Sequence, residues 1–147
     1  MKRFEVTGGN KLKGEIIPQG AKNEALQIIS AVLLSPEKIT VSNIPDITDV
    51  NLLIELLQDI GVKVERSSTD TCTFQADDVN VDHLGSASFR AKSGKLRGSV
   101  MLAGPMLSRF KKAHIPKPGG DKIGRRKLDT HIIGFEKLGA AFEFNEE

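Results

Sequence analysis

The residues best suited to chemistry gather between Lys117 and His131. There Pro118-Gly119-Gly120-Asp121-Lys122-Ile123-Gly124-Arg125-Arg126-Lys127 sets the Asp121 carboxylate among five cations, Lys117 included, on glycine-hinged backbone. Glycine lets a ligand approach the main chain closely, and Lys and Arg supply charge and directed donors for phosphate or carboxylate groups. By itself the segment reads either as a solvated basic loop or as an anion site. Two other places add to the second reading. Gln19-Gly20-Ala21-Lys22-Asn23-Glu24 stands where extended chain gives way to a helix, so Lys22 projects beside free N–H groups and Asn23 suits the N-cap. Leu96-Arg97-Gly98-Ser99 places an arginine at a helix start, where the macrodipole disfavours a cation unless an anion is bound.

The elements that must position these residues follow from periodicity. Phe4-Glu5-Val6 and Gly14-Glu15-Ile16-Ile17 read as two short strands around a glycine turn. A helix is expected from Asn23 through Leu33, a strand at Ile39-Thr40-Val41, and a second helix from Val50 to Ile60 ended by Gly61. Val62 to Glu65 and Thr71 to Phe74 read as a hairpin, Gly98 to Phe110 as a helix, and Ala113-His114-Ile115 as a strand. Setting Gly139 on Gly61, an offset of 78 residues (139 less 61), lays Leu138-Gly139-Ala140 on Ile60-Gly61-Val62 and Phe135 on Leu57. Each unit then reads helix, strand, loop, helix, strand, with a last strand near Ala140 to Glu143. The fold class expected is α/β, a duplicated βαβ-type unit whose sheet contains parallel pairs. Repeats of this kind bury their faces against further copies, so two units form an incomplete domain whose exposed edges favour self-association.

Composition narrows the function. The 147 residues carry 21 Lys and Arg against 19 Asp and Glu, so a formal charge of +2 gives no general field for nucleic acid. Cys72 is the single cysteine, which rules out an internal disulfide and a thiolate metal site; it reads as a small packed residue. His83, His114 and His131 share no metal-ligand spacing. The charged start lacks the apolar core of a secretory signal, and the apolar run Ala25 to Leu34 is too short to span a bilayer. A cytoplasmic protein without nucleic-acid or membrane partners is expected.

Gln19-Gly20-Ala21-Lys22-Asn23, Leu96-Arg97-Gly98-Ser99, Pro118-Gly119-Gly120, Ile123-Gly124 with Arg126, and Leu128-Asp129-Thr130-His131 together resemble the N-terminal part of the UDP-N-acetylglucosamine 1-carboxyvinyltransferases, an enolpyruvyl transferase family of peptidoglycan synthesis. The resemblance runs from about Phe4 to the last residue. It implies an inside-out α/β barrel of two domains, each with three repeat units, and an active site in the cleft between them. Residues 1–21 would be leading strands that join the other domain, and 22–147 a partial domain with units at about 22–78 and 96–147.

The resemblance also implies a reaction, addition of the sugar 3′-hydroxyl to C2 of phosphoenolpyruvate with protonation at C3, then loss of phosphate. No metal or other cofactor is called for. Lys22, Asn23 and Arg126 would bind phosphoenolpyruvate. Asn23, Arg97, Arg126, Lys127, Leu128, Asp129 and Thr130 would bind UDP-N-acetylglucosamine. Asp121 stands where many members have a cysteine that donates the proton and is alkylated by fosfomycin, so Asp121 would be the proton donor. Arg125 and Lys127 depart from the small or proline residues more usual there. Other family residues lie in later sequence, so the chain alone is expected not to turn over. A 3-phosphoshikimate 1-carboxyvinyltransferase is a second reading, although serine is expected after the lysine there. A non-catalytic nucleotide-sugar or anion-binding module and a structural α/β repeat are others.

Overall fold

The computed structural model describes residues 3–115, 119 and 127–144. Its core is a small sheet covered on one face by helices. Helix α1 (Lys22–Ala31) continues as a 3-10 turn, Val32–Leu34, and leads to strand β1 (Lys38–Val41). Helix α2 (Thr48–Asp59) precedes strands β2 (Lys63–Arg66) and β3 (Cys72–Gln75). A 3-10 helix Val81–Gly85, helix α3 (Ala87–Ser93), a 3-10 helix Arg97–Leu102, and helices α4 (Ala103–Phe110) and α5 (Asp129–Lys137) follow.

The sheet order is β1-β3-β2, with β3 antiparallel to both neighbours and Phe74 opposite Ile39 on one side and Val64 on the other. Among the described residues no parallel pair forms, which corrects the expectation above. The cause is the Ser67–Asp70 turn: it folds β3 back into the space between β1 and β2, so those two run in the same direction without touching. Side chains alternate across a strand. Cys72 and Phe74 therefore point into the core with Ile39, Val41 and Val64, while Thr40 and Thr73 share a hydroxyl hydrogen bond of 2.9 Å on the other face. Against the inner face lie Leu26, Ile29 and Leu33 from the α1 segment and Val50, Leu53, Leu56 and Leu57 from α2. Buried serines close their own valences: Ser30 Oγ donates to Leu26 O at 2.7 Å, and Ser99 Oγ to Leu96 O at 2.7 Å and Ser93 O at 2.9 Å.

The two helix ends set in register by the 78-residue offset are built alike. Gly61 and Gly139 have φ of +96° and +94°, which favours glycine. Val62 N–H donates to Leu57 O and Ala140 N–H to Phe135 O, both at 3.0 Å, while Gly61 and Gly139 donate to Gln58 O and Glu136 O. This double bond pattern is the Schellman closure. Burial differs sharply: α2 buries five residues and α5 none.

Four expected strands are absent among the described residues. Phe4 to Val6 and Gly14 to Ile17 form no strand, with Phe4 100%, Val6 89% and Ile16 91% exposed. Ala113 to Ile115 and Ala140 to Phe144 are likewise unpaired. A strand exists only against a neighbour, and these segments pair with none among the described residues. The helix expected over Gly98 to Phe110 is split, its first turn wound as 3-10 from Arg97 to Leu102. Residues 76–95, left without elements by periodicity, hold a 3-10 turn capped by Asn80, whose Oδ1 accepts from Asp82 N–H, and α3, capped by Ser86, whose Oγ accepts from Phe89 N–H.

Candidate functional site

The arrangement starts from Gly20. A Cβ there would collide with the carbonyl oxygen of Asn43 and lie 3.3 Å from Cδ of Pro45, so only glycine lets the chain run against the Asn43–Pro45 backbone as it enters α1. That contact fixes where α1 begins. Its N-cap is Ala21 rather than Asn23, with no side-chain cap. Asn23 instead occupies the second helical position with an exposed side chain, and the first-turn N–H groups are left to solvent or a ligand. Lys22 is the first helical residue. Its Nζ donates to Asp49 Oδ2 at 2.8 Å, and both side chains are close to half exposed. Asp49 lies in the first turn of α2, so the pair ties together the N-termini of two helices that pack side by side.

Arg97 is brought to the same region by a second glycine. Gly98 packs so closely on α1 that an added Cβ would stand 2.9 Å from Leu26 Cδ1. Leu26 is one turn beyond Lys22, about 6 Å along the axis. Arg97, partly buried, opens the 3-10 helix that Gly98 seats against α1 at Leu26. Ser99, through its bonds to Ser93 and Leu96, holds that turn against the end of α3. A Cβ added to Gly119 would collide with the carbonyl oxygen of Gly94, three residues before Arg97. Two of the sequence motifs, those of Lys22-Asn23 and of Arg97, therefore stand on or against α1.

The remaining candidates are placed differently. Lys127, Asp129 and Thr130 are exposed and Leu128 is partly buried at the start of α5. Lys127 Nζ stands 3.6 Å from Asp129 Oδ2. Because α5 buries none of its residues, packing does not fix this group relative to Lys22. Asp121 and Arg126 lie outside the described residues. Among the described residues no group of His, Cys, Asp and Glu could hold a metal ion, and no helix is long and apolar enough to cross a membrane.

Two residues that reasoning from motifs passed over take part in this framework. Asp49 had a signal, an acid in a first helical turn, but that signal points as well to simple dipole stabilisation. Arg109 had none. Its guanidinium lies 4.8 Å over the Phe110 ring, and Nη1 donates to Leu33 O at 3.0 Å and Ala76 O at 2.8 Å, joining α4 to the end of the α1 segment and to the chain leaving β3. His114 is half-buried, and its pKa is held below the ordinary value of 6.5 by burial first and then by the Arg90 charge.

The EPSP synthase family (3-phosphoshikimate 1-carboxyvinyltransferase) matches residues 6–147. A UDP-N-acetylglucosamine 1-carboxyvinyltransferase of Porphyromonas gingivalis is 59% identical over 147 residues, which are 100% of this chain and 34% of that protein. The protein of the same name from Bradyrhizobium diazoefficiens is 40% identical over 138 residues, 94% of this chain and 31% of that one. The chain thus spans about a third of the length of the curated relatives it matches. The crystal structure of the enolpyruvyl transferase NikO from Streptomyces tendae superposes with a TM-score of 0.53 at 24% identity, over 69% of this chain and 23% of that one. NikO shares the fold, and with the family match over nearly every residue the chain belongs to the EPSP synthase family of enolpyruvyl transferases.

Proposed function

We propose that this chain is the N-terminal portion of a UDP-N-acetylglucosamine 1-carboxyvinyltransferase, which moves the enolpyruvyl group of phosphoenolpyruvate onto the 3′-hydroxyl of the nucleotide sugar at the start of peptidoglycan synthesis in the cytoplasm. The observation that carries the reading is 59% identity along all 147 residues to a protein of that name. The packing of the turn that carries Arg97 against α1, which carries Lys22 and Asn23, supports it. Residues 1–21 and 22–147 divide as leading segment and partial domain in this reading.

In the mechanism, charge develops at C2 of phosphoenolpyruvate between two anionic groups, so positioned cations and donors do most of the work. Lys22 and Arg126 hold the phosphate and carboxylate, and the first-turn N–H groups of α1 add uncharged donors. Asn23 orients both substrates. Arg97, Arg126, Lys127, Leu128, Asp129 and Thr130 line the nucleotide-sugar side. Asp121 donates the proton to C3 as the general acid. A carboxyl keeps that proton near neutral pH only if closure over the substrates removes it from water strongly enough to outweigh Lys122, Arg125 and Arg126.

Calorimetry with UDP-N-acetylglucosamine tests the reading on the 147-residue chain. Wild type gives measurable heat and Arg97→Ala gives much less; equal heats, or none in either, favour a structural α/β repeat. In the full-length protein, phosphate release that needs both substrates, together with insensitivity to fosfomycin, is expected. Rapid time-dependent inactivation by fosfomycin would show that Asp121 is not the acid, since a carboxylate offers no thiolate to alkylate.

A further inference from the structure

On the reading of Lys22 and Asn23 given above, we infer that Asn43 is a positioning residue, whose left-handed backbone builds the wall that Gly20 rests against and so sets where those two residues leave the main chain. Among the described residues, Asn43 and Lys111 are the non-glycine residues with positive φ, at +58° and +61°. Lys111 caps the end of α4, where a left-handed residue is a common way to stop a helix. Asn43 ends no helix. It stands two residues beyond β1 and is exposed, so packing of its side chain does not select it. A short polar side chain tolerates the left-handed region, which disfavours other residues with a Cβ.

What the conformation achieves is seen on both sides of Asn43. Behind it, Ile44 is buried and donates its N–H to Asp70 O at 2.8 Å, in the turn of the β2–β3 hairpin, and the buried Pro45 has a φ fixed by its ring. In front, the Asn43 carbonyl oxygen and Pro45 Cδ fill the space that a Cβ on Gly20 would need. The hairpin turn thereby braces the entry to α1 through main chain alone. Lys22 and Asn23 are the first two residues of that helix, so a shift of the wall moves the backbone of both.

The test pairs Asn43→Gly, which reaches the left-handed region freely, with Asn43→Val, whose branched side chain opposes it. Asn43→Ala takes the place of Asn43→Val if the latter does not fold. In the 147-residue chain, the Ala25 amide, which donates to Ala21 O at 3.0 Å as the first bond of α1, exchanges with solvent several-fold faster in Asn43→Val and at the wild-type rate in Asn43→Gly. In the full-length transferase that carries this chain, Asn43→Val raises the KM for phosphoenolpyruvate about tenfold, the scale of the left-handed penalty for one residue. Asn43→Gly keeps that KM within about twofold. Combining Gly20→Ala with Asn43→Val raises it by less than the product of the two single effects, because the wall has already receded. Unchanged Ala25 exchange in Asn43→Val overturns the inference, as does faster exchange with an unchanged KM, or single effects that multiply in the double variant. If Lys22→Ala and Asn23→Ala both leave that KM unchanged, the reading of those residues falls, and the role given to Asn43 falls with it, whatever the exchange shows.

Discussion

Gly20→Ala adds one methyl where the backbone leaves no room. The new Cβ would press on the Asn43 carbonyl oxygen, 3.1 Å from its carbon and 3.3 Å from Pro45 Cδ. Because the obstacle is main chain, no side-chain rotation relieves it. Either the Asn43–Pro45 loop recedes or Gly20 and Ala21 lift away. The first route pulls on Ile44, which is buried and donates its N–H to Asp70 O at 2.8 Å; the second stretches the bond from Ala25 N–H to Ala21 O, now 3.0 Å. Overpacking of this kind costs about 1–3 kcal/mol. Alanine recovers about 0.4–1 kcal/mol by restricting the unfolded chain. A net loss of about 1–2 kcal/mol remains, read as a lower urea midpoint at unchanged slope in circular dichroism of the 147-residue chain. In the full-length protein the second route also displaces Lys22, so the KM for phosphoenolpyruvate rises. A variant as stable as wild type, with that KM unchanged, would refute the claim that this contact sets the start of α1.

Other outcomes follow from the same contacts. Arg109→Ala strips the donor from Leu33 O and Ala76 O and the cation from Phe110, and unfolds more easily by about 2–4 kcal/mol in urea; Arg109→Lys, which lacks the guanidinium fork, recovers less than half. Because burial holds the His114 pKa below 6.5, the folded state favours the neutral ring: its stabilising contribution is complete above about pH 6.5 and declines as pH falls below it. His114→Gln should therefore flatten stability between about pH 7 and 5, whereas Asp70 and Asp77, held below 3.8 mainly by the Ser68 hydroxyl and by Lys63, act only in stronger acid. The exposed Phe4, Val6, Leu12, Ile16 and Leu138 make the 147-residue chain self-associate with rising concentration in light scattering, and replacing Phe4 and Ile16 by Ser weakens it; a strictly monomeric wild type at high concentration would count against that role for them.

Much of the fold was legible because it is written in short-range signals. Gly61 and Pro36 end their segments, the apolar spacing from Ala25 to Leu33 and from Val50 to Ile60 gives α1 and α2, and the Ser67–Asp70 turn gives the β2–β3 hairpin. What escaped depends on neighbours. The order β1-β3-β2 turns on where a hairpin folds back, which no periodicity encodes. Asn23 has good capping chemistry, yet the Gly20–Asn43 contact starts the helix two residues earlier. In the site, Lys22, Asn23 and Arg97 stood out by type and by position at helix starts, but Gly98 on Leu26 is what brings them close. Asp49 was invisible as a partner, because its meaning lies in a contact across 27 residues.

The two helix ends separated by 78 residues isolate what local sequence can and cannot do. Gly61 and Gly139 adopt the same left-handed geometry and close the same pair of hydrogen bonds, although α2 is packed in the core and α5 buries nothing. Local sequence therefore makes the element, and neighbours alone give it a fixed place. The distinction divides the candidate site. Lys22, Asn23 and Arg97 stand on elements held by Leu26, Gly98 and the core beneath them, so their mutual geometry exists before any ligand arrives. Lys127 to Thr130 stand at the start of α5, in which Ile133 is 49% exposed and after which Leu138, its C-cap, is 86% exposed. On the proposed reading, the part of the site made by Lys22, Asn23 and Arg97 is preorganised by this chain's own core, while the part made by Lys127 to Thr130 takes its place only when α5 is covered. Substitutions at Lys127 to Thr130 should therefore change binding only in the full-length protein, whereas Lys22→Ala should weaken anion binding in the 147-residue chain as well.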